Sequence, residues 1–378
     1  MQPLKIGFDA KRLFLNETGL GNYSRNLLAA LSVHYPENEY SLFSPRIDQK
    51  YQNFIKKHPV YTPKGIWKFL PHQLWRSYGI SNFANVLELD IYHGLSHELP
   101  YGIEKSNCKS VVSIHDLIFK TFPELYKTAD RFFYDSKIKN AVKSANKIVC
   151  ISQQTATDLS TFYEVDEQKI QVVYQSCSAN YENFTSDEKL KNSLMANYNL
   201  PENFVLSVGM NPRKNLEILI DAIVLLKNRN LDFPALLLVG NSNTYQKKLR
   251  EKVVSNGLDK KVIFLENIGD NELPQLYHMA LFSTYLSVYE GFGIPLAESL
   301  YCKTPVITNE KGCFSEAAGP GGMYVNVLSK EEIASAIIEL SENSSKRNQL
   351  SEKGFEYVKR FNADVITAQW IDLYRNLL

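Results

Sequence analysis

The residues best suited to chemistry lie in one short segment, Tyr289-Glu290-Gly291-Phe292-Gly293-Ile294-Pro295-Leu296-Ala297-Glu298-Ser299. The two glycines around Phe292 free backbone N–H groups for a ligand, and Pro295 fits the first turn of a helix whose start favours phosphate. Glu290 and Glu298 carry carboxylates that accept hydrogen bonds from vicinal hydroxyls, such as those of a sugar or a ribose. The alternative is a glycine-rich turn between a strand and a helix with two surface glutamates.

A pair of basic residues supplies positive charge. Arg213 and Lys214 follow the predicted strand 204–208 and the glycine that ends it, Gly209. A guanidinium group presents paired donors and an ammonium group a compact charge, so the pair complements a pyrophosphate. The pair could instead be a solvated surface pair. Its position favours an anion site, because open α/β sheets bind ligands beyond the carboxyl ends of their strands.

Two more candidates lie in the first half of the chain. His115 comes directly after the predicted strand 110–114, where a side chain can project into a cleft, although a lone histidine is usually structural. Gly19 and Gly21 belong to a loop that opens the predicted helix 21–33, and the first N–H groups of that helix favour anions. These glycines could equally do no more than shape the turn.

Two other kinds of site are disfavoured. A dinucleotide fingerprint needs a third glycine and an acidic residue that ends the next strand, whereas this chain has Ser24 at that position and Glu39 at the start of its strand. His93 and His97 have a spacing that suits a metal on a helix, but their segment is predicted as a strand end and a loop. No D-x-D pair is present to hold a divalent ion against a diphosphate. We therefore expect neither a nicotinamide cofactor nor a metal.

Composition narrows the class of protein. The 378 residues are enough for about two domains, and 42 Lys and Arg against 41 Asp and Glu give a formal net charge of +1. That balance disfavours a dedicated binder of nucleic acid or of anionic membranes. Five cysteines without C-x-x-C spacing indicate neither a disulfide framework nor a zinc cluster. The start of the chain lacks the apolar core of a signal peptide, and no apolar run is long enough to span a bilayer, so we expect a cytoplasmic protein.

Short apolar runs alternate with stretches of helical periodicity, which is the pattern of parallel sheets covered by helices. The strand candidates are 5–8, 39–43, 90–93, 110–114, 147–151 and 170–174 in the first half, and 204–208, 235–239, 261–265, 280–284, 305–308 and 323–325 in the second. The main helix candidates are 21–33, 130–144, 152–163, 216–227, 244–256, 272–279 and 295–302. The pattern predicts an α/β protein of two Rossmann-like, doubly wound domains that face a central cleft.

The boundary between the predicted domains falls where the alternation lapses, near residues 176–202. Pro201 then precedes a fresh strand, as at the start of a second domain. We predict an N-terminal domain over 1–180 and a C-terminal domain over 200–363. The last helix, over about 364–378, is expected to fold back onto the N-terminal domain.

On these motifs the chain resembles the group 1 glycosyltransferases, the retaining enzymes of family 4 with the GT-B fold. The likeness covers essentially the whole chain, and its most specific element is the segment from Glu290 to Glu298, the E-x7-E signature of the family. The other matching segments are Asp9-Ala10-Lys11-Arg12, Thr18-Gly19-Leu20-Gly21-Asn22-Tyr23, Ile114-His115-Asp116, Ile151-Ser152, Val208-Gly209 and Pro212-Arg213-Lys214-Asn215. The resemblance implies that the N-terminal domain holds the acceptor and the C-terminal domain most of a nucleoside-diphosphate sugar.

The resemblance also implies roles for the candidate residues. Glu290 would bind hydroxyls of the transferred sugar, and Glu298 those of the ribose. Arg213 and Lys214 would bind the diphosphate, while His115 would face the transferred sugar from the other domain. The implied catalytic residues are His115, Arg213, Lys214 and Glu290, and the implied donor-binding residues are Gly19, Gly21, Gly209, Arg213, Lys214, Glu290, Gly291, Phe292, Gly293, Ile294, Pro295, Leu296 and Glu298.

The implied reaction moves a hexosyl group from the nucleotide sugar to a hydroxyl acceptor with retention at the anomeric carbon. In front-face attack a β-phosphate oxygen would take the acceptor proton, and no metal or other cofactor is expected. Many relatives have arginine where this chain has Met210, so Arg213 would carry more of the anionic charge. Relatives with a similar H-D-L-x-F segment often transfer mannose, and their acceptors are growing bacterial surface glycans or lipid-linked saccharides.

Two other functions and one surface feature stay open. The same fold could serve a nucleotide-sugar epimerase, which would consume donor without an acceptor, or a non-catalytic sensor of nucleotide sugars. The segment from Trp67 to Arg76 interleaves aromatic and basic residues in the presumed acceptor domain. It predicts either a peripheral contact with the inner face of the cell membrane or a partly buried helix in a loop region. No nucleic-acid partner is expected.

Overall fold

The computed structural model describes residues 2–378 and divides the chain into two compact units. The first unit contains the residues up to Ser176 together with Phe361–Leu378, and the second is Cys177–Arg360. Residues 177–199, which the sequence analysis assigned to the first domain or left between the domains, therefore group with the second unit. The final helix lies in the part of the chain that groups with the first unit.

The first unit is built on a parallel sheet whose strands are short apolar runs. Its strands are β1 (Lys5–Asp9), β2 (Glu39–Phe43), β3 (Val60–Tyr61), β4 (Ile91–Gly94), β5 (Lys109–Ile114), β6 (Lys147–Cys150) and β7 (Ile170–Val172). They pair in the order β3-β2-β1-β4-β5-β6-β7, and every pairing is parallel. The order reverses between β1 and β4, and such a reversal opens a crevice at the carboxyl ends of the strands.

Helices connect these strands, as parallel pairing requires. They are α1 (Lys11–Leu15), α2 (Gly19–His34), α3 (Gln52–Lys57), α4 (His72–Leu74), α5 (Ile80–Val86), α6 (Ile118–Thr121), α7 (Thr128–Ser144) and α8 (Gln153–Phe162). Short 3-10 turns lie at Gln49–Tyr51, Gly65–Lys68, Ile103–Lys105, Pro123–Leu125 and Glu167–Lys169, and a π-helical stretch covers Trp75–Gly79.

The second unit repeats this arrangement. Its strands are β8 (Phe204–Val208), β9 (Ala235–Val239), β10 (Val262–Leu265), β11 (Phe282–Tyr285), β12 (Val306–Asn309) and β13 (Gly322–Val325). They pair in parallel in the order β10-β9-β8-β11-β12-β13. The reversal here lies between β8 and β11, so the second unit has its own crevice at the carboxyl ends of these strands.

The helices of the second unit cover this sheet, and one further helix ends the chain. They are α9 (Ala179–Glu182), α10 (Glu188–Tyr198), α11 (Leu216–Asn228), α12 (Thr244–Ser255), α13 (Glu272–Met279), α14 (Ile294–Tyr301), α15 (Phe314–Ala318), α16 (Lys330–Glu342), α17 (Ser344–Val358) and α18 (Ala363–Arg375), with 3-10 turns at Pro212–Lys214, Gly319–Gly321 and Lys359–Phe361. The last helix, α18, packs in the first unit, where Trp370 and Tyr374 are fully buried. The Tyr374 hydroxyl lies 2.7 Å from Nδ1 of His93 in β4.

The prediction of an α/β protein with two doubly wound units is confirmed. Each predicted strand and each main predicted helix is present, with ends that agree or shift by at most two residues, and the structure adds the edge strand β3. All five cysteines are buried and free. Among residues 2–378, no helix combines the length and the apolar composition that crossing a bilayer demands.

Candidate active site

The second unit places the basic pair at the carboxyl end of β8. Gly209 follows this strand with a φ of +102°, a left-handed conformation that favours glycine. A Cβ atom at this position would lie 3.1 Å from Cε of Lys214. The chain then forms the 3-10 turn Pro212–Lys214, and Asn215, also left-handed with a φ of +58°, leads into α11. This turn fixes Arg213 and Lys214 near the end of the neighbouring strand, β11.

Glu290 joins the two strand ends. Its carboxylate accepts a hydrogen bond from Nζ of Lys214 at 2.7 Å and forms an ion pair with Arg213. Oε1 of Glu290 also accepts hydrogen bonds from the hydroxyl of Tyr285 at 2.8 Å and from that of Ser287 at 2.7 Å. The first glutamate of the motif and the basic pair therefore form one cluster, which we call the Glu290 cluster: Arg213, Lys214, Tyr285, Ser287 and Glu290.

The electrostatics of the Glu290 cluster favour an anionic ligand. Burial alone would raise the pKa of Glu290, but the charges of Lys214 and Arg213 outweigh it and lower the pKa to about 2. Burial lowers the pKa of Lys214, and the carboxylate of Glu290 opposes that shift. Burial also raises the pKa of Tyr285, so its hydroxyl stays protonated. One carboxylate between two cations leaves one positive charge in excess, which a phosphate can neutralise.

Two residues of the Glu290 cluster were missed by the sequence analysis, and Met210, near the cluster in sequence, lies in the hydrophobic core. Tyr285 and Ser287 were not singled out, although they follow the predicted strand 280–284 in the segment that leads to Glu290. Met210, where the resemblance leads us to expect arginine, is 7% exposed and belongs to the hydrophobic core. The positive charge at the end of β8 is therefore that of the basic pair that follows Met210.

The glycine-rich stretch leads from Glu290 into α14. Gly293 has a φ of +95°, and a Cβ atom there would lie 3.1 Å from Cδ1 of Leu296, so glycine permits this turn. The helix begins at Ile294 with Pro295 in its first turn, and within the described part of the chain no side chain caps its N-terminus. Pro295 has no N–H, and the N–H of Leu296 donates to the carbonyl oxygen of Gly293 at 2.9 Å, so of the first three residues only Ile294 offers an N–H to another acceptor, such as a phosphate.

The remaining residues of this stretch are fixed by packing. Phe292 is 1% exposed, and the neighbouring Gly291 is buried as well. The thiol of Cys313 lies 3.3 Å from the backbone carbonyl oxygens of Glu290 and Phe292. Packing and these thiol contacts therefore hold the backbone of the glycine-rich stretch in place within the second unit.

Glu298 lies one turn into α14 and is partly buried. Burial raises its pKa to about 7, Lys214 opposes this rise, and Asp270 adds to it. Among residues 2–378, no hydrogen bond or ion pair engages the carboxyl group of Glu298. A partly buried carboxyl group without a partner costs free energy. Such a group is typical of a position that binds a ligand.

His115 belongs to the first unit, directly after β5, and is 4% exposed. Its Nε2 lies 2.8 Å from the carbonyl oxygen of Leu95, so Nε2 carries the proton and donates. The ring of Tyr23 packs edge-on against it, with 4.5 Å between centroids. Burial, with a smaller effect of His97, lowers the pKa of His115 to about 3. His115 is therefore neutral at physiological pH and could hydrogen-bond a hydroxyl group but adds no positive charge.

The predicted loop at Gly19 and Gly21 is instead the first turn of α2, which begins at Gly19. A Cβ atom on Gly21 would lie 1.8 Å from the backbone oxygen of Asn16, so close packing requires this glycine. A Cβ atom on Gly19 would meet nothing within 4 Å. The structure thus explains Gly21 by packing, and the predicted donor contacts of both glycines stay predictions.

A cavity of about 140 Å³ lies at the carboxyl ends of β1, β4 and β5 in the first unit. It is lined by Arg12, Leu20, Ser96, His97, Glu98, Asp116, Phe119, Tyr126, Tyr134, Lys137 and Ile138. His97 has a φ of +62°, and its Nδ1 is buried without a hydrogen-bond partner among the described residues. Strain and an unsatisfied polar atom of this kind often mark functional sites. The sequence analysis missed this cavity, whose signal is the charged residues that follow these strands.

Buried ion pairs support one side of this cavity. Arg76 is 6% exposed and forms ion pairs with Asp9, at the end of β1, and with Glu98 at 3.1 Å. Lys137 contacts the other oxygen of Glu98 at 3.0 Å. Burial alone would raise the pKa of Glu98, but Arg76 and Lys137 lower it to about 2. Two of the charged lining residues, Glu98 and Lys137, are therefore held in position by ion pairs.

His93 has a structural environment. It lies in β4, fully buried, with Nδ1 near the hydroxyl of Tyr374 and Nε2 2.9 Å from the hydroxyl of Ser113. Burial lowers its pKa to about 3. Because His93 is in a strand and His97 in the following loop, the helical spacing that would suit a metal is not formed.

Two family models match the chain, one in each half. The model described as Glycosyltransferase Family 4 matches residues 18–177, and the model described as Glycosyl transferases group 1 matches residues 191–357. The chain is 25% identical to O-antigen chain mannosyltransferase B of Escherichia coli over an alignment of 395 residues, which covers 99% of this chain and 100% of that protein.

Solved structures show the same fold. A glycosyltransferase from Rickettsia africae is similar with a TM-score of 0.79 and 18% identity, over 100% of this chain and 99% of that one. Anabaena Alr3699/HepE in complex with UDP is similar with a TM-score of 0.76 and 17% identity, over 99% and 100% of the two chains. Fold and site together define a glycosyltransferase of the GT-B class. The chain belongs to the group 1 glycosyltransferases, which confirms the resemblance found in the sequence.

Proposed function

We propose that the protein transfers a mannosyl group from a nucleoside-diphosphate mannose to a hydroxyl of a growing glycan or a lipid-linked saccharide in the cytoplasm, with retention of configuration. The observation that carries the donor side is the Glu290 cluster at the reversal of the second sheet. Mannose as the sugar is supported by the name of the Escherichia coli relative. A nucleotide as the leaving group is supported by the UDP bound to the Anabaena neighbour.

The Glu290 cluster and α14 would act on the departing diphosphate. As the bond between the anomeric carbon and the phosphate oxygen breaks, negative charge grows on the β-phosphate. Arg213, Lys214 and the N–H of Ile294 at the start of α14 would stabilise that charge. Glu290 would hold the two cations and accept hydrogen bonds from sugar hydroxyls, and Glu298 would accept those of the ribose. Because fixed cations supply the positive charge, the proposal requires no metal.

Retention would follow if the acceptor oxygen attacks the anomeric carbon from the face that the diphosphate leaves. The new bond then joins the acceptor oxygen to the anomeric carbon, and the acceptor proton passes to a β-phosphate oxygen. His115, neutral at physiological pH and donating from Nε2 to Leu95, would accept a hydrogen bond from a sugar hydroxyl at Nδ1 without competing for that proton. NMR of the first product formed tests this step, and a product with the opposite anomeric configuration to the donor contradicts it.

We also propose that the cavity of the first unit binds the acceptor saccharide. Its lining carries two cations, Arg12 and Lys137, and two carboxylates, Glu98 and Asp116, beside an aromatic wall. Balanced charge with apolar surface suits a neutral polyol. Tyr134, which is 40% exposed and part of that wall, offers a test. Tyr134→Ser should raise the KM for the acceptor and leave the affinity for the nucleotide unchanged.

The donor assignment is tested by Lys214→Met. We expect kcat/KM to fall by about 10²-fold or more, as for a lost electrostatic contact in the transition state. Lys248→Met is the matched control, because Lys248 pairs with Glu217 on the exposed surface of the same unit at 2.9 Å. Activity that survives Lys214→Met at the level of this control would contradict the assignment. Activity abolished by EDTA and restored by a divalent ion would contradict the metal-free proposal.

A product assay separates the transferase from the other two functions. Donor consumed only when an acceptor is present supports transfer between molecules. Donor converted to an isomer without any acceptor would identify an epimerase. Binding of nucleotide sugars without turnover or hydrolysis would identify a sensor.

A further inference from the structure

The region 49–87 of the first unit differs in charge from the rest of the chain. Its 39 residues contain no aspartate or glutamate, and its cations are Lys50, Lys56, Lys57, Lys64, Lys68 and Arg76. Because the whole chain has a net charge of +1, these six cations leave the other residues with a net charge of −5. Arg76 is buried and paired with Asp9 and Glu98, and Lys50 pairs with Glu17 and Asp48. The exposed positive charge of the region is therefore that of its four other lysines, which have no ion-pair partner within residues 2–378.

Within this region, residues 64–74 present large apolar side chains to solvent; we call them the exposed segment. Phe69 is 87% exposed, the highest value for a large apolar side chain among the described residues. Ile66 is 72% exposed and Leu74 40%. Such side chains at one site are unfavourable in water and indicate an interaction surface.

The exposed segment is anchored from within. Trp75, at its end, is fully buried, and Trp67 packs partly buried against the core of the first unit. The sequence analysis left open a membrane contact or a partly buried helix for this segment, and both tryptophans follow the second alternative. The aromatic side chain left outside is that of Phe69, with Ile66 as its apolar neighbour in the sequence. The fold thus holds these two side chains outside by packing the tryptophans inside.

We propose that the exposed segment docks the first unit on the surface of a bilayer that contains anionic lipid. Ile66 and Phe69 would enter the boundary between headgroups and acyl chains, and Lys64 and Lys68 would contact the phosphates. Both lysines are exposed, and neither has an ion-pair partner within residues 2–378.

A bilayer fits this surface better than a polar partner does. It offers an apolar layer for the two side chains and, directly above it, a layer of negative charge for the lysines. The negative charge elsewhere in the chain does not prevent this contact, because salt screens it beyond about 8–10 Å. The docking does not rest on the proposed sugar transfer, although it would bring the enzyme to a lipid-linked acceptor.

Co-sedimentation of the full-length protein with vesicles tests the proposal. We expect binding to vesicles of phosphatidylcholine mixed with phosphatidylglycerol and weaker binding to phosphatidylcholine alone. The double variant Lys64→Gln/Lys68→Gln should lower partition onto the mixed vesicles by about 30-fold, at about 1 kcal/mol for each lysine. The double variant Ile66→Ser/Phe69→Ser should lower it by about 10-fold or more through lost apolar burial.

Matched controls come from the same unit. Val33→Ser removes an apolar side chain that is 67% exposed on α2, and Lys143→Gln removes an exposed lysine on α7. Neither should change vesicle binding, and thermal unfolding should show that all variants fold. Hydrolysis of the donor in the Ile66→Ser/Phe69→Ser variant, measured without vesicles, should equal that of the wild type.

Three results would overturn the proposal. One is a wild-type protein that binds neither kind of vesicle. Another is binding that the Ile66→Ser/Phe69→Ser variant retains in full. The third is self-association in sedimentation that this variant abolishes, without vesicle binding, which would assign the exposed segment to contacts between copies of the chain. Failure of sugar transfer in the wild type would leave these measurements unaffected.

Discussion

The two glutamates of the E-x7-E motif should affect stability in opposite directions, although both are expected to contact the donor. Glu290 is held by Lys214 and Arg213, which lower its pKa to about 2. Glu298 has no hydrogen-bond or ion-pair partner in the described chain, and burial raises its pKa to about 7. The folded second unit therefore favours the ionised form of one carboxyl group and the neutral form of the other.

The pKa shifts give the size of each effect, because one pKa unit corresponds to about 1.4 kcal/mol. The shift of Glu290 from 4.5 to about 2 contributes about 3 kcal/mol to the free energy of unfolding. This stabilisation is complete above pH 4.5 and is lost as the pH falls toward 2. The shift of Glu298 from 4.5 to about 7 costs up to about 3 kcal/mol. That cost is complete above pH 7 and vanishes below pH 4.5.

Glutamine keeps the shape of each side chain and removes its charge. Glu290→Gln should lower the free energy of unfolding of the second unit by about 3 kcal/mol at neutral pH. Glu298→Gln should raise it by up to about 3 kcal/mol above pH 7 and leave it unchanged near pH 4.5. Urea unfolding across this pH range, followed for the transition of the second unit, measures both effects.

Glu266→Gln provides the control, because Glu266 forms an exposed ion pair with Arg250 at 3.2 Å in the same unit. A surface pair of this kind should change the free energy of unfolding by less than about 1 kcal/mol. The reasoning would be refuted if Glu290→Gln and Glu298→Gln shifted stability in the same direction. It would also be refuted if the effect of Glu298→Gln were equal at pH 4.5 and above pH 7.

Three further predictions concern the scaffold. Gly293→Ala should lower the free energy of unfolding of the second unit by about 1–3 kcal/mol in urea, because the φ of Gly293 is +95°. Gly19→Ala is the control: a Cβ atom there meets nothing within 4 Å, so the urea midpoint should stay nearly unchanged. Tyr374→Phe removes the hydroxyl 2.7 Å from His93 and should cost the first unit about 1–3 kcal/mol, and an unchanged urea midpoint would contradict this role. Arg76→Met leaves two buried carboxylates without their shared cation and should cost about 3–5 kcal/mol in thermal unfolding, whereas a loss below about 1 kcal/mol would argue against the buried pairs.

The strands were predictable where burial on both faces produces a continuous apolar run. β8 (Phe204–Val208) and β9 (Ala235–Val239) have the predicted ends, because both lie inside the sheet and are flanked by turn residues. β3 was missed because it has only two residues, between Pro59 and Pro63, and pairs with β2 alone at the sheet edge. A strand of two residues is stabilised by pairing with its neighbour and is too short to show an alternating pattern in the sequence.

The site was predictable as a set of residues but not as a set of contacts. The spacing of Glu290 and Glu298 and the basic pair after Gly209 are visible in the sequence. That Lys214 pairs with Glu290, 76 residues away, follows only from the adjacency of β8 and β11. The same holds for the cavity of the first unit, whose lining residues follow three separate strands.

The charges at the two sheet reversals support donor binding in the second unit and acceptor binding in the first. This argument does not depend on how the units are arranged. In the second unit two cations flank one carboxylate, so the cluster is incomplete without an anion. In the first unit the four charged side chains that line the cavity balance, and His97, whose pKa burial lowers to about 4, is neutral. In the second unit, a diphosphate would accept charge-assisted hydrogen bonds from the excess positive charge. In the first unit, the carboxylates already balance the cations, so no excess positive charge is left for a diphosphate. A neutral saccharide has the reverse preference, because the aromatic wall beside the balanced charges offers apolar contact without an unpaired ion. The electrostatics of each unit, taken alone, therefore support the donor in the second unit and the acceptor in the first.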